Sequence, residues 1–69
     1  MLIVDDHASF RRLARRLFEG AGYSVVGEAA DGASTLAAVA ELRPDVVLLD
    51  VLLPDASGFA VADRIATEP

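Results

Sequence analysis

Two short apolar runs, each closed by acid, constrain the fold of this chain more than any other feature. Met1 to Val4 leads into Asp5 and Asp6, and Val46 to Leu49 leads into Asp50. Continuous apolar runs of this length read as strands buried on both faces, the habit of parallel sheets. If the two strands are parallel neighbours, their carboxyl ends meet at one edge of the sheet, where open α/β sheets place their binding sites. Three carboxylates then share one pocket.

The residues between and after these runs supply helices. Phe10, Leu13, Ala14, Leu17 and Phe18 recur at the spacing of one helical face, which predicts a helix from Ala8 to Glu19, stopped by Gly20 and Gly22. Tyr23 to Ala29, broken by Gly27 and carrying Ser24 and Glu28, reads as a second strand of mixed polarity suited to an edge. Asp31 is placed to cap a second helix from Ala33 to Leu42. Pro44 ends that helix and pushes Arg43 toward an extended backbone. After the third strand, Val46 to Leu49, the loop Asp50 to Ser57 leads to a third helical pattern with Phe59, Ala62, Ile65 and Ala66. The order βαβαβα with short connections predicts a parallel sheet, right-handed crossovers and helices on both faces. The chain stops at Pro69, just after the third helix, so the apolar third strand is expected at an uncovered edge.

Three like charges in one pocket repel, and a hard divalent cation relieves the repulsion. The chain has no Cys and one His, so a thiolate or His-cluster site is excluded, and oxygen donors favour Mg²⁺ over zinc. A carboxylate beside such an ion is charged at neutral pH and is a competent nucleophile toward phosphorus, which points to phosphoryl chemistry on Asp50. Capping of a helix accounts for only one of the acids Asp5 and Asp6. His7 reads as a polar residue at the rim of the helix start, and Arg11, Arg12, Arg15 and Arg16 as the solvated or snorkelling face of the first helix.

Composition removes other classes. The 69 residues make one small domain that buries only about 60% of its unfolded surface. A net charge of −5 argues against direct nucleic-acid binding. No apolar run reaches the roughly 18 residues of a membrane span, so a soluble, cytoplasmic chain is expected. A Gly-rich dinucleotide turn is absent after the first strand, and a chain without Lys has no Walker-type phosphate loop.

The motifs I-V-D-D-H at Ile3 to His7, E-A-A-D-G at Glu28 to Gly32, P-D-V-V-L-L-D at Pro44 to Asp50 and L-P-D-A-S-G at Leu53 to Gly58 resemble those of the response-regulator receiver domain of two-component signalling. The resemblance covers residues 1–69. It implies a flavodoxin-like α/β fold of which the chain is the (βα)3 portion, the first three of five βα units in the strand order 2-1-3-4-5. By the same resemblance, Asp50 accepts a phosphoryl group from a sensor histidine kinase or phosphotransfer protein. Asp6 ligates Mg²⁺ directly, as does Asp50, while Asp5 holds a metal-bound water and the main-chain carbonyl of Leu52 completes the protein ligands. Pro54 and Gly58 shape the loop beneath the site.

The D-D-H opening and the L-P-D-A-S-G loop are similar to regulators with a helix-turn-helix output, which implies transcription regulation in a parent protein. The Ser or Thr and the Lys that contact the phosphoryl group in this family have no counterpart, since Thr35 and Thr67 fall elsewhere and Lys is missing. The chain is therefore read as a partial receiver. An alternative is a non-phosphorylated interaction module, working through the first helix or self-associating through the exposed strand edge. An aspartyl-phosphate phosphatase is set aside because position 52, where its second acid belongs, is Leu.

Overall fold

The computed structural model describes residues 1–67, and Pro69, read as lying just beyond the last helix, falls outside them. The elements run β1 (Leu2–Val4), α1 (Ala8–Gly20), β2 (Gly27–Ala29), α2 (Gly32–Leu42), β3 (Val47–Leu49) and α3 (Gly58–Thr67). All strand pairs are parallel and the order is β2-β1-β3, so the α1 crossover leads from β1 to its neighbour β2 and the α2 crossover passes over β1 to reach β3. The parallel sheet predicted from the alternation is present, in the flavodoxin-like order that the resemblance implies.

β1 is fully buried: Leu2, Ile3 and Val4 have at most 1% of their surface exposed. Leu2 and Val4 join Ala29 in a core against Ala38 and Val39 of α2 and Val47, Leu49 and Leu53. Alternation along the strand turns Ile3 to the opposite face, the face covered by α1 and its buried Ala14. β3 is different. Its residues are only half-buried and pair with β1 on one side, as expected for an uncovered edge.

The second strand is shorter than the pattern from Tyr23 implies. Gly22 (φ 97°) closes α1 in a Schellman arrangement, with the Tyr23 N–H donating to the Phe18 carbonyl at 2.9 Å and that of Gly22 to Glu19 at 3.1 Å. The Phe18 and Tyr23 rings meet edge to face, centroids 5.4 Å apart. Tyr23 thus belongs to the helix terminus, and β1 offers backbone partners only from Met1, whose carbonyl accepts the Val26 N–H. Gly27 does not break the strand. It lies inside it, where a Cβ would come within 2.9 Å of the Leu42 side chain at the end of α2.

Two further expectations are corrected. Arg43 is left-handed (φ 46°, ψ 58°) rather than extended, because it closes α2 with its N–H on the Val39 carbonyl, while Pro44 bars only the right-handed region. In α3 the buried positions are Gly58 and Val61, with Ile65 half-buried, whereas Phe59 is 74% exposed. On α1 the apolar stripe is correctly periodic yet largely uncovered, with Phe10, Leu13 and Leu17 exposed.

The start of α2 is fully satisfied. A helix leaves its first four N–H groups without intrahelical partners. Here Ser34 N–H donates to Asp31 Oδ1 at 2.7 Å and the Asp31 N–H to Ser34 Oγ at 3.3 Å, a capping box, while Gly32 and Ala33 N–H donate to Asp55 Oδ1 and Oδ2 at 2.7 and 3.1 Å. The capping role of Asp31 was legible in sequence. The second cap, from the loop after β3, was not.

Candidate functional site

The register that pairs Val4 with Leu49 places Asp5 and Asp50 at adjoining strand ends, with the Asp50 N–H on the Val4 carbonyl at 3.0 Å. Asp5 is buried, Asp50 half-buried and Asp6 exposed. Asp50 stands close enough to influence the ionisation of Asp5. The structure therefore places Asp5 and Asp50 at one edge of the sheet, with Asp6 next in sequence to Asp5.

His7, not either acid, is the N-cap residue of α1, and its ring is largely solvent-exposed as a rim position requires. The His7 N–H donates to Asp5 Oδ1 at 2.8 Å, so Asp5 shapes the turn from its buried position. The His7 Nδ1 stands 3.0 Å from both Asp5 Oδ1 and Asp6 Oδ1, the position of a local counter-charge. The Asp5 hydrogen bond first, and then the charges of Asp6 and Asp5, raise the His7 pKa above its usual value. Burial alone would raise the pKa of Asp5, but the His7 backbone N–H, ring and charge outweigh it and hold the carboxyl below its ordinary range.

The ligand atoms of Asp5, Asp6 and His7 lie within 4.8 Å of one another, a grouping able to hold a metal ion. The donor chemistry fits Mg²⁺. Asp5 and Asp6, which follow β1, and Asp50, which follows β3, are hard oxygen donors, and Asp6 faces the solvent from which hydrating waters come.

Leu52, the proposed carbonyl ligand, is 79% exposed, and its N–H lies 3.3 Å from Asp50 Oδ1. It bridges Ser57 across the loop, and the Gly58 N–H closes the base on the Val51 carbonyl at 2.7 Å. A Cβ at position 58 would collide with the Asp50 carbonyl and lie 2.9 Å from the Val51 Cα. Glycine is obligatory there, in keeping with the loop-shaping role expected of it.

Two contacts were missed in the sequence. Arg11 Nη1 donates to the Asp5 carbonyl at 2.7 Å while its Nε pairs with Glu28 Oε1 at 3.1 Å, and Arg15 Nε pairs with Glu28 Oε2 at 2.8 Å. Half of the arginine face is thus spent joining α1 to β2 and to the acid-bearing turn. No spacing rule links a helical Arg to a strand Glu 17 positions away. The other contact is Asp55, held on α2. Thr35, by contrast, is remote in role: it is wholly buried, with its hydroxyl on the Asp31 carbonyl at 2.6 Å.

Residues 1–69 match the response regulator receiver domain. Among curated relatives, the chain is 36% identical over 70 residues to the chemotaxis protein CheY of Thermotoga maritima, covering all of this chain and 58% of that protein. It is 40% identical over 68 residues to protein-glutamate methylesterase/protein-glutamine glutaminase 3 of Hahella chejuensis, with 99% of this chain and 20% of the relative covered. Against the DNA-binding response regulator MtrA of Mycolicibacterium paratuberculosis it is 44% identical over 63 residues, which cover 88% of this chain and 27% of the relative. The chain therefore spans less than two thirds of the length of each of these relatives. With its sheet order, its paired acids and this match over residues 1–69, the chain belongs to the response-regulator receiver family of two-component signalling.

Proposed function

We propose that the chain is the phospho-accepting part of a response regulator, receiving a phosphoryl group on Asp50 from a sensor histidine kinase or a phosphotransfer protein. The observation that carries this reading is the register of β1 and β3, which sets Asp50 beside Asp5 at the carboxyl edge of the sheet. In the transfer, an Asp50 carboxylate oxygen forms a bond to phosphorus as the donor's P–N bond breaks, and the leaving imidazole takes up a proton. Asp6 and Asp50 would hold Mg²⁺ directly, Asp5 through water and Leu52 through its carbonyl. Bound there, the ion offsets the repulsion between the acids and the incoming phosphoryl oxygens.

The three βα units here are taken as the first three of the family's five, which leaves the groups that contact the phosphoryl oxygens from the remaining strands to the rest of a parent protein. A cytoplasmic location and a DNA-binding output belong to the same reading. Among the described residues no helix is long and apolar enough to cross a membrane.

Labelling the full-length polypeptide with acetyl phosphate tests the assignment. Label on the wild type that disappears in Asp50→Asn is the expected result, and acid-stable label persisting on Ser or Thr would overturn it. The second reading, an interaction module working through α1, draws on the exposure of Phe10, Leu13 and Leu17. It predicts that wild type and Asp50→Asn behave alike with every phosphodonor.

A further inference from the structure

The loop from 50 to 58 connects the acid pocket to α3, which packs on α2. Inside it, the Leu53 N–H donates to the Ala56 carbonyl at 3.2 Å, Leu52 bridges Ser57, and the Gly58 N–H reaches the Val51 carbonyl. These bonds give the loop a shape but do not fix it to the rest of the molecule. Asp55 does so. Each of its carboxylate oxygens accepts one N–H from α2, that of Gly32 at 2.7 Å and that of Ala33 at 3.1 Å, across more than twenty positions of sequence.

The contact is tight on both sides. Gly32 is buried, and a Cβ on it would lie 3.1 Å from Val61, 3.2 Å from Ala56 and 3.2 Å from Asp55 Oδ1. The tip of the loop therefore presses directly on the first turn of α2, and Leu52 stands only three positions from the clamped carboxylate.

We propose that Asp55 is a positioning residue that fixes the 50–58 loop through the N-terminus of α2 and thereby sets how well the pocket binds Mg²⁺. The consequence for the ion rests on the reading of Asp5, Asp6, Asp50 and the Leu52 carbonyl as its protein partners, whereas the clamp rests on geometry alone. Asp55 touches neither the ion nor the reacting atoms. It acts through Leu52.

Asp31 provides the control, because it caps the same helix through Ser34 and Thr35, whereas Asp55 holds Gly32 and Ala33. Mg²⁺ titration and amide hydrogen exchange at Leu53 and Gly58 are measured on the full-length polypeptide as wild type, Asp55→Ala, Asp55→Asn and Asp31→Ala. Asp55→Ala is expected to weaken Mg²⁺ binding about tenfold, as loss of an outer support of a metal site does, and to speed exchange at both amides. Asp55→Asn should fall between, since its carbonyl still accepts the Gly32 N–H while its amide NH₂ opposes that of Ala33. Asp31→Ala should leave both readouts near wild type despite its own cost to α2.

Equal effects of Asp55→Ala and Asp31→Ala would overturn the proposal, as would unchanged exchange at Leu53 and Gly58 in the Asp55 variants. Should Asp55→Ala not fold, the comparison of Asp55→Asn with Asp31→Ala decides on the same criteria. A wild type that binds no Mg²⁺ would remove the ligand reading, and the exchange data would still decide the clamp.

Discussion

At position 58 a hydrogen stands where any other residue would drive a carbon into the Asp50 carbonyl, and backbone cannot move aside as the end of a side chain can. Gly58→Ala should destabilise the protein by about 3 kcal/mol, the upper part of the range for overpacking, read as a lowered denaturant midpoint. Gly20, with nothing within 4 Å of its would-be Cβ, is the matched control and should tolerate Ala. Glu28 carries a pH signature. The Arg15 hydrogen bond, helped by Arg11 and opposed by burial, lowers its pKa from the ordinary 4.5. A depressed carboxyl pKa contributes stability above its unfolded value and loses it as the pH falls through the folded one. The stability gap between wild type and Glu28→Gln should therefore be full at pH 7 and close below about pH 4.5; a gap that persists in acid would mean that the arginines act by packing alone. The acids of the pocket were legible because they end apolar runs, whereas Arg11 and Asp55 were not, because their partners are main-chain groups brought near only by strand order.

Among the elements, α2 is the best specified and also the one with a visible backbone cost. All four of its leading amides have partners, yet it closes on Arg43 at φ 46°, where a Cβ is disfavoured. Arg43→Gly should relieve this and raise stability by about 0.5 to 1 kcal/mol, with the urea midpoint increased and the slope unchanged. A lowered midpoint would show that the Arg side chain contributes more than its backbone costs. Helix and strand positions were readable wherever period and punctuation agreed, as in α1 and β3. They failed at Tyr23, whose aromatic character suits a strand, because its ring packs on Phe18 instead. They failed again in α3, where Phe59 was counted on the inner face but the buried large apolar residue is Val61, two positions on. A ten-residue helix of mostly small apolar residues does not mark its inner face by period alone.

For the molecule as a whole, the two sides of the sheet are unequally dressed. α2 and α3 pack on each other over one side, and α1 stands over the other with Phe10, Leu13 and Leu17 exposed, while β3 pairs on one edge only. The isolated 69-residue chain should therefore self-associate, seen as concentration-dependent sedimentation with weak amide protection through Val47–Leu49. A monodisperse monomer strongly protected there would show these surfaces to be harmless. The strand order also sets a timetable. β1 is made before the other two strands, yet it lies between them, and Leu2 finds its partners only at Gly27 and Val47. At about 5 to 20 residues per second, roughly 2 to 9 seconds of synthesis pass before the second neighbour of β1 exists. Throughout that interval the most deeply buried of the described strands is without its full sheet, and it is then that a nascent-chain chaperone would find it.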